Sequence, residues 1–135
     1  MEYEIEFTGE ELDEIRKILI DEMYNIYSSY DTEQVFSVFK DTAVQTQYMN
    51  EFKDYERMDA LIKESIDAFS ENNRGYDSNS IIFVSFSEDD CASIERLLRK
   101  WIEYRELWNI EEEKYKRSLR LMKEINDKLN KNKIK

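Results

Sequence analysis

The chain has no histidine and no proline, and its 135 residues include only two glycines and one cysteine. Without histidine it has no imidazole base, no serine–histidine triad and no histidine-ligated metal site. Its single cysteine, Cys91, excludes an internal disulfide and a thiolate zinc cage, which fits a reducing cytoplasm. The two isolated glycines, Gly9 and Gly75, cannot form a glycine-rich phosphate loop. The lack of proline and the scarcity of glycine favour long helices with few tight turns.

Segments that would direct the chain to a membrane are also lacking. The first seven residues, MEYEIEF, have neither the basic nor the apolar region of a secretory signal, and no apolar run approaches the length of a membrane span. The composition, 41% hydrophobic and 13% aromatic, is too apolar for a disordered protein. A chain of this length is long enough to bury a core. We therefore predict a single cytoplasmic domain over residues 1–135.

Negative charge is abundant and unevenly distributed. The net charge is -11; residues 1–71 contain 19 acids and 6 bases, whereas residues 72–135 contain 12 acids and 14 bases. An acidic surface repels nucleic acid and anionic membranes and attracts basic proteins. This balance predicts a basic protein partner and no direct binding of nucleic acid or membrane. The same charge also serves to keep a small protein in solution, and both interpretations stay open.

Two stretches of the chain have the pattern of a short strand. Between Tyr3 and Phe7 apolar residues alternate with glutamates, which is typical of a strand with one wet face. The run Ile81–Phe86 is mostly apolar and predicts a strand covered on both faces.

A capping box follows each strand. Thr8 with Glu11, and Ser87 with Asp90, place a hydroxyl and a carboxylate at the spacing that satisfies free amides of a first helical turn. Apolar residues at helical spacing follow both boxes. Cys91 falls on the apolar stripe of the helix that follows the second capping box, so we expect it to be buried rather than to act as a nucleophile.

The similarity between the two halves extends beyond these helices. The segment Tyr55–Phe69 aligns without gaps on Tyr115–Leu129, with 6 of 15 positions identical. The strands align at an offset of 79 residues and these helices at an offset of 60, so the first half carries about 19 extra residues. We predict two strand-helix-helix units, 1–73 and 80–130, with an inserted segment near 31–49.

Several helix limits can be read from the same pattern. A break is predicted at Ser28–Thr32, and a kink or loop between Asp41 and Asn50, where β-branched residues weaken the helical signal. The run Asn72–Gly75 reads as a helix stop with Gly75 at positive φ. Asn109 either begins a new helix or lies within a continuous one.

The predicted fold is mainly α with a minor two-stranded β element, built from tandem strand-helix-helix units in one compact domain. We expect the two strands to pair at the centre of a pseudo-twofold arrangement, with helices packed on the Phe7 and Phe86 sides. A two-stranded ribbon is marginally stable alone, so the helices must supply most of the stability.

The first predicted helix carries the candidate partner-binding residues. Clustered carboxylates on a rigid helix can imitate a row of phosphates and meet arginine and lysine side chains, while tyrosines supply apolar contact. A solvated acidic face with tyrosines at the edge of the core is the competing interpretation. The candidate residues are Glu10, Glu11, Asp13, Glu14, Asp21, Glu22, Tyr24 and Tyr27.

Two tryptophans form a second candidate surface. Trp101 and Trp108 are seven residues apart and share one face of the second unit's helix, where they either pack in the core or mediate self-association. Carboxylate pairs such as Glu10 and Glu14 are expected by chance among 31 acids, so we predict no enzyme activity, no metal and no cofactor.

In size, acidity and frequent use of lysine, asparagine, isoleucine and tyrosine, the chain resembles small proteins of phages and mobile elements of low-GC bacteria, such as anti-CRISPR and anti-restriction inhibitors. The resemblance rests on overall character and on no motif. It implies a non-enzymatic acidic inhibitor that mimics nucleic acid and blocks a basic groove of a bacterial defence nuclease. The alternatives are a helical structural or regulatory protein that self-associates, forming a homodimer, and a carboxylate metal enzyme.

Overall fold

The computed structural model describes residues 2–36, 42–107 and 113–133, which form two strands and four helices. Each strand is followed by two helices, so the predicted mainly α fold with tandem strand-helix-helix units is confirmed. The elements are β1 (Glu2–Thr8), α1 (Gly9–Phe36), α2 (Thr42–Asn73), β2 (Ile81–Ser87), α3 (Glu88–Leu107) and α4 (Glu113–Lys133).

The two strands form an antiparallel sheet whose register matches the sequence repeat. Ile5 pairs with Val84, and these two residues are equivalent in the alignment of the halves. Tyr3, two residues before Ile5, pairs with Phe86, two residues after Val84. This is the register that a twofold relation between the units requires, although duplication itself stays a prediction.

The outer face of β2 corrects one prediction. Residues at alternate positions of β2 are buried, but Ile81 and Phe83 are 44% and 53% exposed. The prediction that this strand is covered on both faces is wrong, because the helices cover the inner face of the sheet. Apolar residues therefore occupy outward positions that the alternation of a half-wet strand would normally give to polar ones.

Both predicted capping boxes are present. The Thr8 amide donates to Glu11 Oε1 at 2.8 Å, and the Glu11 amide donates to Thr8 Oγ1 at 3.1 Å. The Ser87 amide donates to Asp90 Oδ2 at 3.2 Å, and the Asp90 amide donates to Ser87 Oγ at 3.1 Å. The hydroxyl and the carboxylate thus satisfy the first amides of α1 and α3 in the same way.

The units are intertwined through their second helices. α2 packs against β2, and α4 packs against β1, so each unit's second helix covers the strand of the other unit. The core between them is a cluster of buried residues from every element, including Phe7, Phe86, Leu19, Leu98 and Cys91. Phe7 and Phe86 meet edge to face with ring centroids 6.1 Å apart.

Equivalent arginines also cross between the units. Arg57 of α2 binds Asp90 in the first turn of α3, with Nη2 2.5 Å from Oδ1. Arg117 of α4 binds Glu10 in the first turn of α1. Arg57 and Arg117 occupy the same position in the repeat. The second helix of each unit therefore also forms an ion pair with the first helix of the other unit.

The inserted residues lengthen helices instead of forming a loop. α1 continues through Phe36 and α2 begins at Thr42, so the predicted break at Ser28–Thr32 is wrong. Residues 42–50 are helical, so a loop there is wrong as well, while a kink in this part of α2 stays a prediction. A β-branched residue costs a helix only about half a kilocalorie per mole, too little to break a helix favoured by its other residues. The hairpin of α1 and α2 has 28 and 32 residues, against 20 and 21 for α3 and α4.

We call the outer part of this hairpin, residues 20–36 and 42–56, the arm. Its extra length corresponds to roughly 12 to 16 Å of helix beyond the end reached by the second unit, at 1.5 Å per residue. The predictions for Asn109, for Trp108 and for Asp41 fall outside the described residues.

The connection from α2 to β2 depends on both glycines. Gly75 has φ 108° and Arg74 φ 58°, so the predicted helix stop with positive φ is confirmed. At Gly9, a Cβ atom would lie 2.1 Å from the carbonyl oxygen of Asp77. Glycine is therefore required where α1 begins against this connection.

Candidate partner-binding surfaces

Three of the six candidate acids of α1 are buried. Glu11, Glu14 and Glu22 are 3%, 9% and 6% exposed. Each one receives a hydrogen bond from the second unit. Lys128 Nζ lies 2.5 Å from Glu11 Oε1, Lys100 Nζ lies 2.6 Å from Glu22 Oε1, and the Ser118 hydroxyl donates to Glu14. Half of the acidic set is therefore engaged inside the molecule.

The other three acids are more accessible. Glu10 is half-buried and pairs with Arg117, Asp21 is half-buried, and Asp13 is exposed and accepts a hydrogen bond of 2.9 Å from the Tyr76 hydroxyl. That hydrogen bond raises the pKa of Tyr76, with burial adding to the effect. The start of α1 and the basic last helix thus pair through Glu10 with Arg117 and Glu11 with Lys128, and the partner-binding role of the set stays a prediction.

The two candidate tyrosines lie on the arm and are exposed. Tyr24 is 70% and Tyr27 58% exposed, and Ile20, one turn earlier on the same face of α1, is also exposed. We call Ile20, Tyr24 and Tyr27 the aromatic row. At the equivalent positions of α3 the second unit has Arg99, Glu103 and Glu106, which are exposed as well. The fold therefore accepts charged residues at all three positions.

An open groove of about 360 Å³ adjoins the aromatic row between α1 and α2 of the arm. Its walls are almost entirely apolar. Met49, on α2, is exposed at its edge. The sequence analysis did not identify the groove. The signal that could have shown it is the pair of aromatic residues at helical spacing, Tyr48 and Phe52, which precede the start of the repeat at Tyr55. The lining residues are Ile26, Tyr27, Tyr48, Met49, Phe52 and Lys53.

The surroundings of this groove are negatively charged. The arm contains seven acids and one base in sequence. Burial raises the pKa of Tyr55, at the base of the arm, and the negative charges of Glu22 and Glu51 raise it further. An apolar groove with this charge favours a partner segment that is both apolar and basic.

A second and larger groove, of about 630 Å³, lies on the other flank of α2. One side of this groove is formed by β2, through Ser85 and Ser87, and the opposite side by α2, through Leu61 and Glu64. The first turn of α3 contributes Asp89 and Asp90 to the lining, and β1 contributes Glu2. We call it the strand groove. Its other lining residues are Asp54, Arg57, Ala60, Asp89, Asp90 and Ser93.

The predicted self-association surface is only partly exposed. Trp101 is half-buried against the core, and its ring meets Tyr104 edge to face with centroids 5.7 Å apart. Trp108 lies outside the described residues. Tyr104 and Leu107 are exposed on the same helix, and neither was singled out in the sequence.

No group of three or more acidic or cysteine side chains within residues 2–36, 42–107 and 113–133 is arranged to hold a metal ion. Among the same residues, no helix combines the length and apolarity needed to cross a bilayer. Comparison with protein-family models, curated proteins and solved structures found no match.

Proposed function

We propose that this protein is a non-enzymatic binding protein that recognises a basic segment of another protein through its arm. The observation that carries the proposal is the aromatic row, which lies exposed beside an apolar groove. An apolar surface rimmed by charged residues is a common mark of a protein interaction site.

The second unit provides an internal control for this surface. At the positions equivalent to the aromatic row, the same fold carries Arg99, Glu103 and Glu106 on its surface. The core does not need apolar residues there, since these three positions face solvent in both units. The core therefore does not require the tyrosines of the first unit, and their exposure supports contact with a partner.

The chemistry of the arm suits an amphipathic basic helix. A helix that docks in a helical groove inserts its apolar face between the groove walls. Tyrosine supplies large and rigid contact area together with a hydroxyl. The surrounding carboxylates attract lysine and arginine at the edge of the contact and accelerate association at low salt.

A nucleic-acid-binding protein presents basic surfaces of this kind. The resemblance in overall character to phage inhibitors favours a bacterial defence nuclease, whose basic groove the arm would block as an acidic mimic of nucleic acid. Because Glu11, Glu14 and Glu22 are paired internally, the mimicry rests on the acids of the arm other than Glu22 and not on a free row along the first half of α1.

The test uses the substitutions that the second unit already carries. A labelled amphipathic helical peptide with lysine on one face and leucine on the other is titrated against the parent and against a Tyr24→Glu, Tyr27→Glu variant. We expect the variant to bind about tenfold or more weakly, because two apolar contacts are lost. Added negative charge alone would strengthen binding of this peptide, so weakening identifies the tyrosine contacts.

The matched control is Tyr104→Glu with Leu107→Glu, which changes two exposed apolar residues on α3 by the same charge. Both variants should keep the parent's free energy of unfolding within about 0.5 kcal/mol, as surface substitutions do. Equal affinity of the arm variant and the parent would remove the basis of the proposal.

The alternative function is self-association through the end of α3. The exposure of Tyr104 and Leu107 next to Trp101 favours it, since all three lie on one helix. Sedimentation equilibrium distinguishes the two functions. A dimer that Leu107→Ser dissociates, combined with no effect of the arm variant on the peptide, would replace the arm proposal with this one.

A further inference from the structure

The two-stranded sheet leaves the outer edge of β2 open beside the strand groove. The Gly9 amide donates to the Ser80 carbonyl at 2.9 Å, which marks these residues as a hydrogen-bonded pair at the end of the ladder. In an antiparallel pair such positions alternate, so Ile82, Val84 and Phe86 bond to β1, while the groups of the residues between them point away.

The capping boxes confirm this alternation at both strand ends. The amides of Thr8 and Ser87, which belong to the outward set, are bonded by Glu11 and Asp90 and not by the opposite strand. Within the described residues, no hydrogen bond satisfies the outward backbone groups of Ile81, Phe83 and Ser85. These three residues therefore present a template for a further strand.

The negative charges that line the strand groove favour a basic segment as the added strand. Asp54 and Glu64 line the groove from α2, and Asp89 lines it from the first turn of α3. The one basic residue of the lining, Arg57, is already paired with Asp90 at 2.5 Å. An added strand with basic side chains on its inner face would meet the carboxylates of Asp54, Glu64 and Asp89.

The outer face of the sheet determines which side chains suit the outward positions of the added strand. Phe83 and Ile81 are exposed beside the open edge. Side chains that point outward from an added strand would pack on these two residues, as cross-strand neighbours do. A strand that alternates basic and apolar residues satisfies both faces.

We propose that the edge of β2 binds an extended protein segment of alternating basic and apolar residues, which joins the sheet as a third strand between β2 and α2. This site is separate from the arm groove and does not depend on it. A second copy of this chain is a poor occupant, because its net charge is -11 and its own β1 carries glutamates at alternate positions.

The probe is a labelled, capped peptide of sequence KVKVKVK, as long as β2. Binding to the wild-type protein is measured by fluorescence anisotropy, and amide exchange is followed by NMR. We expect the amides of Phe83 and Ser85 to become protected in the complex. A peptide N-methylated at its valines keeps the side chains but cannot donate to the edge, and EVEVEVE reverses the charge; both should bind about tenfold or more weakly.

Proline substitutions locate the edge. Ser85→Pro removes an outward amide without removing a bond of the ladder, and edge positions tolerate proline. It should weaken KVKVKVK binding about tenfold. Glu4→Pro is the matched control, because Glu4 is the residue paired with Ser85 and its outward amide belongs to the other edge. It should leave the affinity within about twofold.

Charge reversal tests the α2 side of the groove. Asp54→Lys with Glu64→Lys should weaken binding about tenfold. Glu56→Lys with Glu71→Lys makes the same change in net charge at exposed positions outside the groove and should have a smaller effect.

Three results would overturn the inference. Equal binding of the N-methylated and unmodified peptides to the wild-type protein would exclude strand addition, whether or not the proline variants fold. Loss of binding in Glu4→Pro but not in Ser85→Pro would move the site to β1. Loss of binding in the Tyr24→Glu, Tyr27→Glu arm variant would place this peptide at the arm, which would leave the arm proposal intact and remove this one.

Discussion

The two strand-helix-helix units use the same parts for the core and different parts for the surface. Each has a seven-residue strand, a hydroxyl–carboxylate capping box and an arginine that crosses to the other unit. Equivalent positions such as Leu19 and Leu98 are both buried. These positions agree because both units pack into one core against the paired strands.

The units differ where the core places no demand. The first unit extends its hairpin into the arm and exposes Tyr24 and Tyr27, whereas the second exposes Glu103 and Glu106 at those positions. Along the sheet, acids of α2 line the groove beside β2, but the helix beside β1 is rich in bases that pair with α1. A difference between units with the same fold marks surfaces that the core does not determine, and both of these surfaces are the ones that we propose to bind a basic partner.

The largest expected effect tests whether the two cores are equivalent. Leu19→Ala and Leu98→Ala should each lower the free energy of unfolding by about 2–5 kcal/mol, because each leaves a cavity at a fully buried position. Urea unfolding of both variants measures the change. Ile20→Ala, next to Leu19 but exposed, is the control and should change it by less than about 0.5 kcal/mol. A loss confined to one unit would show that the two halves do not share one core.

Removal of either capping hydroxyl should lower the stability less than the leucine substitutions do, and by a similar amount in the two units. Thr8→Ala and Ser87→Ala each remove a hydroxyl that accepts a hydrogen bond from the first turn, and each should cost about 0.5–2 kcal/mol of stability. Ser85→Ala, an exposed serine on β2, controls for the loss of a hydroxyl without a cap. Thermal denaturation is sufficient to compare the three. No change in either cap variant would mean that water satisfies the freed amide of Glu11 or Asp90 as well as the hydroxyl does.

Local patterns predicted the parts of the fold that depend on neighbours in sequence. The spacing of Thr8 and Glu11 is enough to specify a cap, since both partners lie within one turn. The offset of 79 residues between the halves also agreed with the pairing of Ile5 with Val84, because a twofold arrangement brings equivalent residues together. Cys91 was correctly placed in the core from its helical spacing alone.

Features that depend on distant parts of the chain could not be predicted. The burial of Glu14 depends on Ser118, which is 104 residues away, and no local pattern distinguishes a paired carboxylate from a solvated one. The continuity of α1 through Phe36 was missed because propensity differences per residue are small against the stability of a long helix pair. The exposed face of β2 was missed because an apolar run does not show which side the helices cover.

The ion pair of Arg57 with Asp90 predicts how the stability of the protein depends on pH in the acid range. Burial would raise the pKa of Asp90, but hydrogen bonds from Arg57 and Ser87 outweigh it and hold the pKa below 3.8. The unfolded chain then binds more protons than the folded one between the two pKa values, so this contribution is present above about pH 4 and is lost as pH falls through the folded pKa. We expect the stability of the parent to fall more steeply below pH 4 than that of Asp90→Asn, in urea unfolding measured at several pH values.

The control for this pH effect is Asp89→Asn, which removes a carboxylate from the same first turn at an exposed position. The comparison is between the acid limbs of the curves and not between stabilities at neutral pH, where loss of the cap lowers Asp90→Asn throughout. Parallel curves for Asp90→Asn and the parent would contradict the expectation.

The smallest expected effect on stability comes from the largest change in sequence, replacement of residues 29–52 by the second unit's 108–112. This gives both units helices of similar length. Of the removed segment, residue 29 and residues 46–52 have described burial, and none of them belongs to the buried core cluster. We therefore expect cooperative unfolding within about 1 kcal/mol of the parent. Binding of the amphipathic lysine–leucine peptide should be lost, because Tyr48, Met49 and Phe52 are removed, while the KVKVKVK peptide should bind as before. A shortened protein that unfolds without cooperativity would show that the arm belongs to the folding unit, and the functional reading of the difference between the units would then lose its support.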